Sequence, residues 1–412
     1  MKKLLSLIAA CLLMVGMITA NVQAENTTIT LWHRWGGDVE SKLLTIVDAF
    51  EKENPDIKVE VTAKPGEYFE LLQKMIADLA AGIDRPDLFI GGYNLFNYIY
   101  NELDPVVLKD LAPNEEAWQA LVDRFEPNIL DLGKAEGVLI SAPFALSNIV
   151  MYYNQDIFAE AGLSDKDVPK TWDELVAVSK VIKEKTGKYS FGMQKVDNWP
   201  DLAMIYSNGG KVLSDDGTKV AFNNEQAAEA IGLWQSMHKE GYAAVNTDGE
   251  LMADFIAGNV AMYISSVMKL NALRTSCDFN LDVAQYPSFG DKERKLPAGG
   301  SALISFTNTD NSAKKDAVWK FIDFATNDES MRTFTQTGYV CVTKAKVDVA
   351  EGQQPAYDQL AYAVPWTNWP GGSVGLEIDQ LYTNKRLEII HGDLDPAATL
   401  EALANECNAL LP

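Results

Sequence analysis

The sequence of 412 residues is poor in the side chains that many enzymes use for chemistry. It has three histidines and four cysteines, and no histidines stand at metal-ligand spacing. It has no G-x-S-x-G nucleophile motif, no Walker phosphate loop and no G-x-G-x-x-G after a strand. These absences disfavour nucleophilic hydrolysis, a histidine metal site and nucleotide binding. We expect neither a cofactor nor a metal.

Positive charge is also scarce. The chain carries 35 Lys and Arg against 58 Asp and Glu, a formal net charge of −23. Such a surface argues against nucleic acid or an anionic membrane as a partner. The same abundance of carboxylates leaves one catalytic alternative open, because a secreted glycoside hydrolase needs only a carbohydrate cleft and two acids. Release of reducing sugar would distinguish that enzyme from a binding protein.

Only the N-terminus carries a long apolar run. Residues 1–24 combine two lysines, an apolar stretch and a small-residue cleavage pattern at Val22–Ala24, which predicts a signal peptide and a periplasmic protein. Without it the chain has 33 basic and 58 acidic residues, a net charge of −25. The alternative is lipoprotein anchoring at Cys11. The apolar run continues to Ile18, however, whereas polar residues usually follow a lipidated cysteine.

Three cysteines remain after removal of the signal peptide, so a fully paired disulfide framework is excluded, although one bridge is possible. The remaining length is too great for one ordinary core and suits two α/β lobes. Near its start, two amphipathic helical patterns alternate with the strand patterns "IKVEVT" and "PDLFIGG". This order predicts βαβ units and a mainly parallel sheet. Further on, Thr171 and Glu174 are spaced as a helix capping box, and residues 207–224 read as a polar hairpin.

Seven ordered motifs carry a family resemblance. They are "TLWHRWGGD", "FEKENPDIKVEV", "LISAPFALSNIVMYYNQDIFAEAGL", "PKTWDEL", "FIAGNVAMYISS", "GGSALISF" and "TGYVCVTKAK". The chain resembles the extracellular solute-binding proteins of ABC importers, in the group that includes maltose- and glycerol-phosphate-binding proteins. The resemblance implies a binding protein without enzymatic activity, a small-molecule ligand, an ABC permease as partner and a monomer.

The resemblance also implies a periplasmic binding protein-like type II fold, in which two discontinuous α/β lobes close around a cleft. By analogy, the first lobe is residues 25–144 plus 286–335, and the second is residues 145–285 plus 336–412. The first crossover between them is then expected near residues 141–148 and the second near residues 283–290.

Two tryptophan-rich segments are candidates for the ligand site. One is "WHRWGG" at residues 32–37, which follows the first strand, and we call it the first-strand segment. The other is "VPWTNWPGG" at residues 364–372, which we call the tryptophan loop. Ligands of open α/β sheets lie beyond the carboxyl ends of strands, and aromatic rings suit the apolar faces of sugars. Other tryptophans, such as Trp118, Trp172, Trp234 and Trp319, fall in helical patterns that indicate packing.

Residues beside these strand ends, turns and crossovers complete the candidate site, several of them on family analogy. The predicted ligand-binding residues are Arg34, Trp35, Tyr68, Tyr93, Ser147, Asn148, Trp199, Ser266, Gly299, Gly300, Tyr339, Trp366 and Trp369. Competing interpretations remain for some of them. Ser147 and Ser266 suit helix capping equally well, and Tyr339 suits core packing.

The tryptophan loop also bears on the ligand. Glycerol-phosphate-binding relatives supply an arginine from the matching loop, whereas this chain has no Arg or Lys there until Lys385 and Arg386. A mono- or oligosaccharide is therefore the predicted ligand. Glycerol 3-phosphate, a glycerophosphodiester or a polyol is the alternative. Arg34 and Lys269 would favour that alternative if they faced the cleft, because they could then pair with a phosphate.

Overall fold

The computed structural model describes residues 26–412. The predicted signal peptide, the lipidation alternative at Cys11 and the expected first mature residue Glu25 lie outside this range. Within it, no helix combines the length and the apolar character needed to cross a bilayer. Cys277, Cys341 and Cys407 are free thiols, so the described residues contain no disulfide bridge.

Strands and helices alternate along most of the chain. The strands are β1 (Thr27–His33), β2 (Ile57–Ala63), β3 (Leu88–Gly92), β4 (Lys134–Ala135), β5 (Val138–Leu139), β6 (Ser141–Ser147), β7 (Ile149–Asn154), β8 (Tyr189–Gln194), β9 (Ala243–Asn246), β10 (Val260–Ser266), β11 (Leu281–Gln285), β12 (Leu296–Pro297), β13 (Gly299–Ser305) and β14 (Ala363–Val364).

The helices are α1 (Gly37–Glu53), α2 (Tyr68–Ala80), α3 (Phe96–Leu103), α4 (Leu108–Leu111), α5 (Glu115–Val122), α6 (Pro127–Asp131), α7 (Gln155–Glu160), α8 (Trp172–Thr186), α9 (Trp199–Ser207), α10 (Glu225–Lys239), α11 (Asp248–Ile256), α12 (Leu270–Ser276), α13 (Ser312–Ala325), α14 (Asp328–Phe334), α15 (Gln354–Asp358), α16 (Ser373–His391) and α17 (Pro396–Leu410).

The first sheet has the strand order β2-β1-β3-β13-β6. β1 pairs in parallel with β2 and β3, as the βαβ pattern predicts, but β13 is antiparallel to both β3 and β6. The sheet is therefore mixed. β1, β2, β3 and β6 run in one direction, as the prediction of a mainly parallel sheet requires, and β13 is the exception that the pattern did not predict. The reason is topological. β6 follows β3 through helices, whereas β13 enters the sheet at the end of a long excursion of the chain through the second sheet.

The second sheet has the order β11-β7-β10-β8-β9 and is also mixed. The chain passes into it from the first sheet directly, since β6 ends at Ser147, β7 begins at Ile149 and Asn148 lies between them. It returns after β11 and rejoins the first sheet at β13. The α/β architecture of two lobes, each a sheet with helices, is thereby confirmed. The residue boundaries assigned to the lobes stay a prediction.

Two buried apolar clusters hold these layers together. In the first, the α1 stripe Leu43, Ile46, Val47 and Phe50 is buried, as its helical spacing predicted. The Phe50 ring meets Phe321 of α13 edge to face at 5.2 Å. Burial of such a side chain stabilises the fold by about 1.5–3 kcal/mol.

The second cluster packs the second sheet against helices α8, α9, α10, α16 and α17. Trp172 and Trp234 are fully buried there, whereas Trp319 belongs to the first cluster. These three tryptophans pack as predicted. Trp118 is only partly buried, and Lys109 lies over its ring.

Local sequence signals explain several boundaries of these elements. The predicted capping box forms at the start of α8, where Thr171 and Glu174 each accept a backbone N–H of the other. The predicted polar hairpin contains an antiparallel bridge between Leu213 and Val220. The helix after it begins at an Asn224 cap, which accepts from the Ala227 N–H. These capping groups satisfy backbone donors that the first turn of a helix leaves free.

Candidate functional site

One edge of the first sheet gathers most of the predicted site residues. β1 ends at His33 and β3 at Gly92, so the first-strand segment and Tyr93 leave the sheet side by side. Because β13 is antiparallel to β3, its beginning lies at this same edge, with Ser301 opposite Gly92. Gly299 is in turn opposite Ser147 at the end of β6. The candidate site is the cleft wall built on this edge.

An aromatic cluster forms the part of this wall nearest β1. Trp35 is 4% exposed and packs against Phe334, Phe144 and Tyr339 at centroid distances of 5.3, 6.1 and 6.1 Å. Tyr339 stacks on Phe334 at 5.6 Å. Tyr339 therefore packs in the first core, as its alternative interpretation holds, and it also borders the predicted site.

Two polar atoms of this cluster make no hydrogen bond of good geometry within residues 26–412, although the Trp35 N–H lies near the Tyr339 hydroxyl and the Tyr93 hydroxyl lies near the Phe144 backbone. The Trp35 Nε1–H and the Tyr93 hydroxyl are buried and unpaired among the described residues. Burial raises the pKa of Tyr93 and of Tyr339 well above the ordinary value, so both phenols stay neutral. A buried donor without a partner costs free energy, and a ligand oxygen or water would satisfy it.

Arg34 lies beside this cluster with its charge already compensated. Its Nη2 is 2.9 Å from Glu67 Oε2, its Nη1 donates to the Gly66 carbonyl, and the guanidinium lies over the Tyr68 ring. The Tyr68 hydroxyl donates to Ser301 Oγ at 3.0 Å. Arg34 Nε is buried and unpaired among residues 26–412. The site at this end is therefore polar but close to neutral.

A pair of tryptophans forms the other end of the wall. The rings of Trp199 and Trp366 stack at 5.6 Å with an interplanar angle of 19°. The Trp199 Nε1–H donates to the Pro297 carbonyl at 2.6 Å, and the Trp366 Nε1–H donates to Asn198 Oδ1 at 2.7 Å. Trp199 is 7% exposed, whereas Trp366 is partly exposed.

Two glycines make room for this arrangement. A Cβ on Gly299 would lie 2.9 Å from the Trp199 ring. Gly300 has φ +109°, and a Cβ there would meet the Ala145 carbonyl oxygen at 2.1 Å. A side chain at either position would push the ring or β6 out of place. Gly299 and Gly300 thus shape the wall through the side chains that they lack.

The polar residues of the first crossover lie next to the tryptophan pair. The hydroxyls of Ser147 and Ser266 are 2.5 Å apart. Ser266 also accepts from the Met268 N–H, so part of its role is the helix capping that the alternative interpretation holds. Asn148 Nδ2 donates to the Ala356 carbonyl, whereas Asn148 Oδ1 is buried and unpaired within the described chain.

Trp369 is placed elsewhere. It is 6% exposed, lies between Phe222 and Tyr382 in the second core, and donates from Nε1 to Asp379 Oδ1 at 2.7 Å. Its ring faces are used for packing, whereas Trp366, three residues earlier, borders the candidate site.

Two cations with the potential to bind an anionic ligand are paired within the protein. Lys269 Nζ lies 2.5 Å from Asp248 Oδ2. Arg386 is fully buried and ion-paired with the fully buried Asp201. Neither is a free partner for a phosphate.

Sequence reasoning missed three polar residues of the site, namely Asn198, Ser301 and Asn368. Asn368 Nδ2 donates to the Tyr93 carbonyl, and Asn368 Oδ1 accepts from the Asn97 N–H, so the tryptophan loop is tied to the first lobe. Each of the three stands inside or next to a motif that was singled out for its aromatic or glycine residues. A polar neighbour of a recognised aromatic residue was therefore the available signal.

Two cavities are lined by other residues, and the first of them reaches the start of the tryptophan loop at Val364 and Pro365. One of about 320 Å³ is lined by Tyr206, Gly210, Lys211, Val212, Leu213, Lys295, Val364 and Pro365. The other, of about 620 Å³, is lined by Tyr153, Asp165, Val168, Pro169, Lys170, Val283, Ala284, Gln285, Ser288 and Arg294. Neither includes a predicted ligand-binding residue. In the described range no cluster of His, Cys, Asp and Glu has an arrangement that would hold a metal ion.

Two mixed sheets joined by crossovers, with a polar and aromatic cleft wall between them, define a two-lobed binding protein of the type II periplasmic class. The same fold occurs in the cyclic α-maltosyl-1,6-maltose binding protein from Arthrobacter globiformis, with a TM-score of 0.79 and 23% identity over 93% of this chain and 99% of that one. UgpB from Mycobacterium tuberculosis, solved in complex with glycerophosphocholine, gives a TM-score of 0.77 and 22% identity, over 93% of this chain and 98% of that one.

The family is shown at the sequence level. The family of bacterial extracellular solute-binding proteins matches residues 36–332, and this chain belongs to it. The sn-glycerol-3-phosphate-binding periplasmic protein UgpB of Escherichia coli O1:K1 / APEC is 30% identical, over 82% of this chain and 78% of that protein. A putative binding protein of Brucella abortus (strain 2308) is 30% identical over 88% of each chain. The predicted family, its solute-binding role and the type II fold are confirmed.

Proposed function

We propose that this protein is the substrate-binding component of an ABC importer and captures a mono- or oligosaccharide in the cleft between its lobes. The stacked pair Trp199–Trp366 carries this proposal. A pyranose presents an apolar C–H face that suits an aromatic ring, and Trp366 keeps part of its ring exposed. The protein would act in the periplasm as a monomer, after removal of residues 1–24, and deliver the sugar to a permease.

Charge supports a neutral ligand. Arg34 is paired with Glu67, Lys269 with Asp248 and Arg386 with Asp201. A phosphate would have to compete with a carboxylate for each of these cations. The hydroxyl groups of a sugar need only hydrogen bonds, and the unpaired Trp35 Nε1–H and Tyr93 hydroxyl offer them.

A second ligand class keeps support from two observations. One relative with 30% identity over most of this chain is named as a binding protein for sn-glycerol 3-phosphate. In addition, the buried Arg34 Nε–H has no partner within residues 26–412, and an anionic oxygen would satisfy it. Glycerol 3-phosphate, a glycerophosphodiester or a polyol is therefore the alternative ligand for the same transport role.

We propose no catalytic activity. The family consists of binding proteins, and three acids near the tryptophan pair are occupied in structural contacts. Asp197 accepts from the Trp199 backbone N–H and from the Gln194 amide. Asp379 accepts from Trp369 and Asn198, and Asp201 accepts from Tyr382 and Arg386. A glycoside hydrolase needs two free carboxyl groups across the scissile bond. We expect no reducing sugar to be released from maltose or maltotriose.

A thermal-shift panel tests the proposal. Glucose, maltose, maltotriose, trehalose, sn-glycerol 3-phosphate and glycerophosphocholine would be added to the mature chain, followed by calorimetric titration of each stabilising compound. A ligand at 100 times its dissociation constant should add about 2.7 kcal/mol to the free energy of unfolding. Trp366→Ala should lose this stabilisation, and Trp118→Ala, far from the site, should keep it. Stabilisation by the phosphates alone would replace the sugar with the alternative ligand.

A further inference from the structure

A short hydrogen-bond chain lies beneath the tryptophan pair. Trp366 Nε1 donates to Asn198 Oδ1 at 2.7 Å, and Asn198 Nδ2 donates to Asp379 Oδ1 at 2.5 Å. The same Asp379 oxygen accepts from Trp369 Nε1 at 2.7 Å. The chain joins three separate segments, because Asn198 precedes α9, Asp379 lies in α16 and both tryptophans belong to the tryptophan loop.

The chemistry of the four groups permits one direction only. An indole N–H can only donate. Burial raises the pKa of Asp379, but its Oδ1 already accepts the Trp369 N–H and so faces the Asn198 amide as an acceptor. Asp379 therefore requires the Nδ2 side of the Asn198 amide, which leaves Oδ1 for Trp366. With the amide reversed, its NH₂ would face the indole N–H and its oxygen would face the carboxylate. Both contacts would then be repulsive, so Asp379 fixes the amide and the amide fixes the indole.

The backbone of the loop is anchored independently of this chain. Asn368 is bonded to Tyr93 and to Asn97, and Thr367 is bonded to Tyr206. Trp199, the other ring of the pair, is held by the Pro297 carbonyl. Loss of the Asn198 link would therefore leave the loop in place, with Trp369 still bonded to Asp379, and free the partly buried Trp366 ring to rotate about its own side-chain bonds.

We propose that Asn198 and Asp379 are positioning residues that set the plane of Trp366 against Trp199 and so determine how tightly the site binds its ligand. This inference rests on the proposed function, because it assumes that the sugar binds against the Trp199–Trp366 pair. Without these hydrogen bonds the Trp366 ring must be ordered when the ligand binds, and the free-energy cost of that ordering reduces affinity.

The test has one readout that needs no ligand. Stacked indoles couple in near-ultraviolet circular dichroism, and Trp366→Ala sets the signal of an unpaired Trp199. In the mature chain, Asn198→Leu and Asp379→Ala should lose most of the difference between wild type and Trp366→Ala. Asp379→Asn keeps an acceptor oxygen and should restore the signal. Tyr382→Phe, which removes a hydroxyl bonded to Asp201 in the same core, should lower the Tm and leave the signal unchanged.

The second readout is calorimetric affinity for the panel compound that most stabilises the wild type. Asn198→Leu and Asp379→Ala should weaken it about tenfold, and Asp379→Asn should remain near wild type. A wild-type dichroism signal in both Asn198→Leu and Asp379→Ala, or wild-type affinity once that signal is lost, would overturn the inference. Unchanged affinity in Trp366→Ala would instead contradict the proposal that the sugar binds against the tryptophan pair. The dichroism of Asn198→Leu and Asp379→Ala would still test whether these residues position the Trp366 ring.

Discussion

The first-strand segment and the tryptophan loop each carry two tryptophans three residues apart, but the two segments use these rings differently. In the first-strand segment, Trp32 packs on the first core beneath Lys64, whose Nζ lies 3.5 Å from its ring centroid, and Trp35 turns toward the cleft wall. In the loop the order is reversed, because Trp366 borders the site and Trp369 fills the second core. In the loop one tryptophan therefore packs and the other borders the site, whereas in the first-strand segment both rings belong to the first core and the more buried one, Trp35, also forms part of the wall.

The two segments differ in what meets the indole N–H. Trp366 and Trp369 both donate to protein oxygens, whereas the N–H of Trp35 has no partner in the described part of the chain. A donor that the fold satisfies is held in place by the protein, and one that the fold leaves unsatisfied is available to a ligand. The loop therefore offers a fixed apolar surface, and the first-strand segment offers a hydrogen bond.

The largest expected effect is on the anchor of the loop. Trp369→Ala removes a buried ring that packs on Phe222 and Tyr382, and it also leaves Asp379 without one donor. We expect a loss of about 3–5 kcal/mol in the free energy of unfolding, measured by urea denaturation. Trp366→Ala, which removes the partly exposed ring, should cost clearly less stability but more affinity. Equal losses of stability in the two variants would break the comparison.

The second prediction concerns the dependence of stability on pH. A buried acid lies next to the loop, and a buried base lies in the first-strand segment, so their pKa values shift in opposite directions. Next to the loop, burial raises the pKa of Asp197 from 3.8 to about 7. The folded state then holds a proton that the unfolded state has released, so the free energy of unfolding falls as pH rises through this window. The slope is at most about 1.4 kcal/mol per pH unit. Asp197→Asn should remove it.

Within the first-strand segment the sign of the pH dependence is opposite. His33 is fully buried, and burial lowers its pKa below 6.5 although Glu40 opposes the shift. Its Nδ1 accepts the Trp35 backbone N–H, and protonation would end that bond. The unfolded state binds the proton more readily, so stability is lost as pH falls below 6.5. Urea unfolding from about pH 5 to about pH 8 should show His33→Gln and Asp197→Asn changing the profile in opposite directions. Parallel changes would contradict this assignment.

Much of the fold was predictable because local patterns carried it. The α1 stripe, the capping box at Thr171 and the helix cap at Asn224 each depend on a few neighbouring residues. The mixed character of the first sheet was not predictable in this way. It depends on β13 entering antiparallel between β3 and β6, and these pairings join residues more than 150 positions apart in sequence, such as Gly299 with Ser147 and Ser301 with Gly92.

The candidate site residues also fall into those that local patterns predict and those that depend on distant partners. Strand ends predicted Trp35 and Tyr93, because position along a strand is a local property, whereas Gly299 was predicted from the family resemblance. Whether Trp366 or Trp369 borders the cleft depends on partners at Asn198 and Asp379, which lie on other elements. Helical or loop periodicity contains no information on such partners. The contribution of each predicted residue to binding stays a prediction.

A smaller effect is expected when Trp35 becomes Phe. The ring cluster with Phe334 and Tyr339 would largely survive, and only the unpaired N–H would be lost. If a ligand oxygen accepts from Trp35 Nε1, affinity should fall about five- to tenfold, with about 1 kcal/mol or less lost in stability. Trp32→Phe is the matched control in the same segment and should leave affinity unchanged. Wild-type affinity in Trp35→Phe would show that this donor does not meet the ligand.

The smallest expected effect is the response of binding to salt. The guanidinium of Arg34 is paired with the exposed carboxylate of Glu67, so the first-strand segment presents little net charge to a ligand. Affinity for a neutral sugar should therefore change less than about twofold between low and high ionic strength, whereas an anion should bind more weakly in salt unless it is well buried. Arg34→Ala leaves no buried charge behind, because Glu67 can return to water, and it should keep most of the sugar affinity that Trp366→Ala loses. Titration of both variants with the best sugar and with sn-glycerol 3-phosphate decides the matter. Loss of binding in Arg34→Ala alone, and for the phosphate, would transfer the main ligand contact from the loop to the first-strand segment and make the sugar assignment wrong.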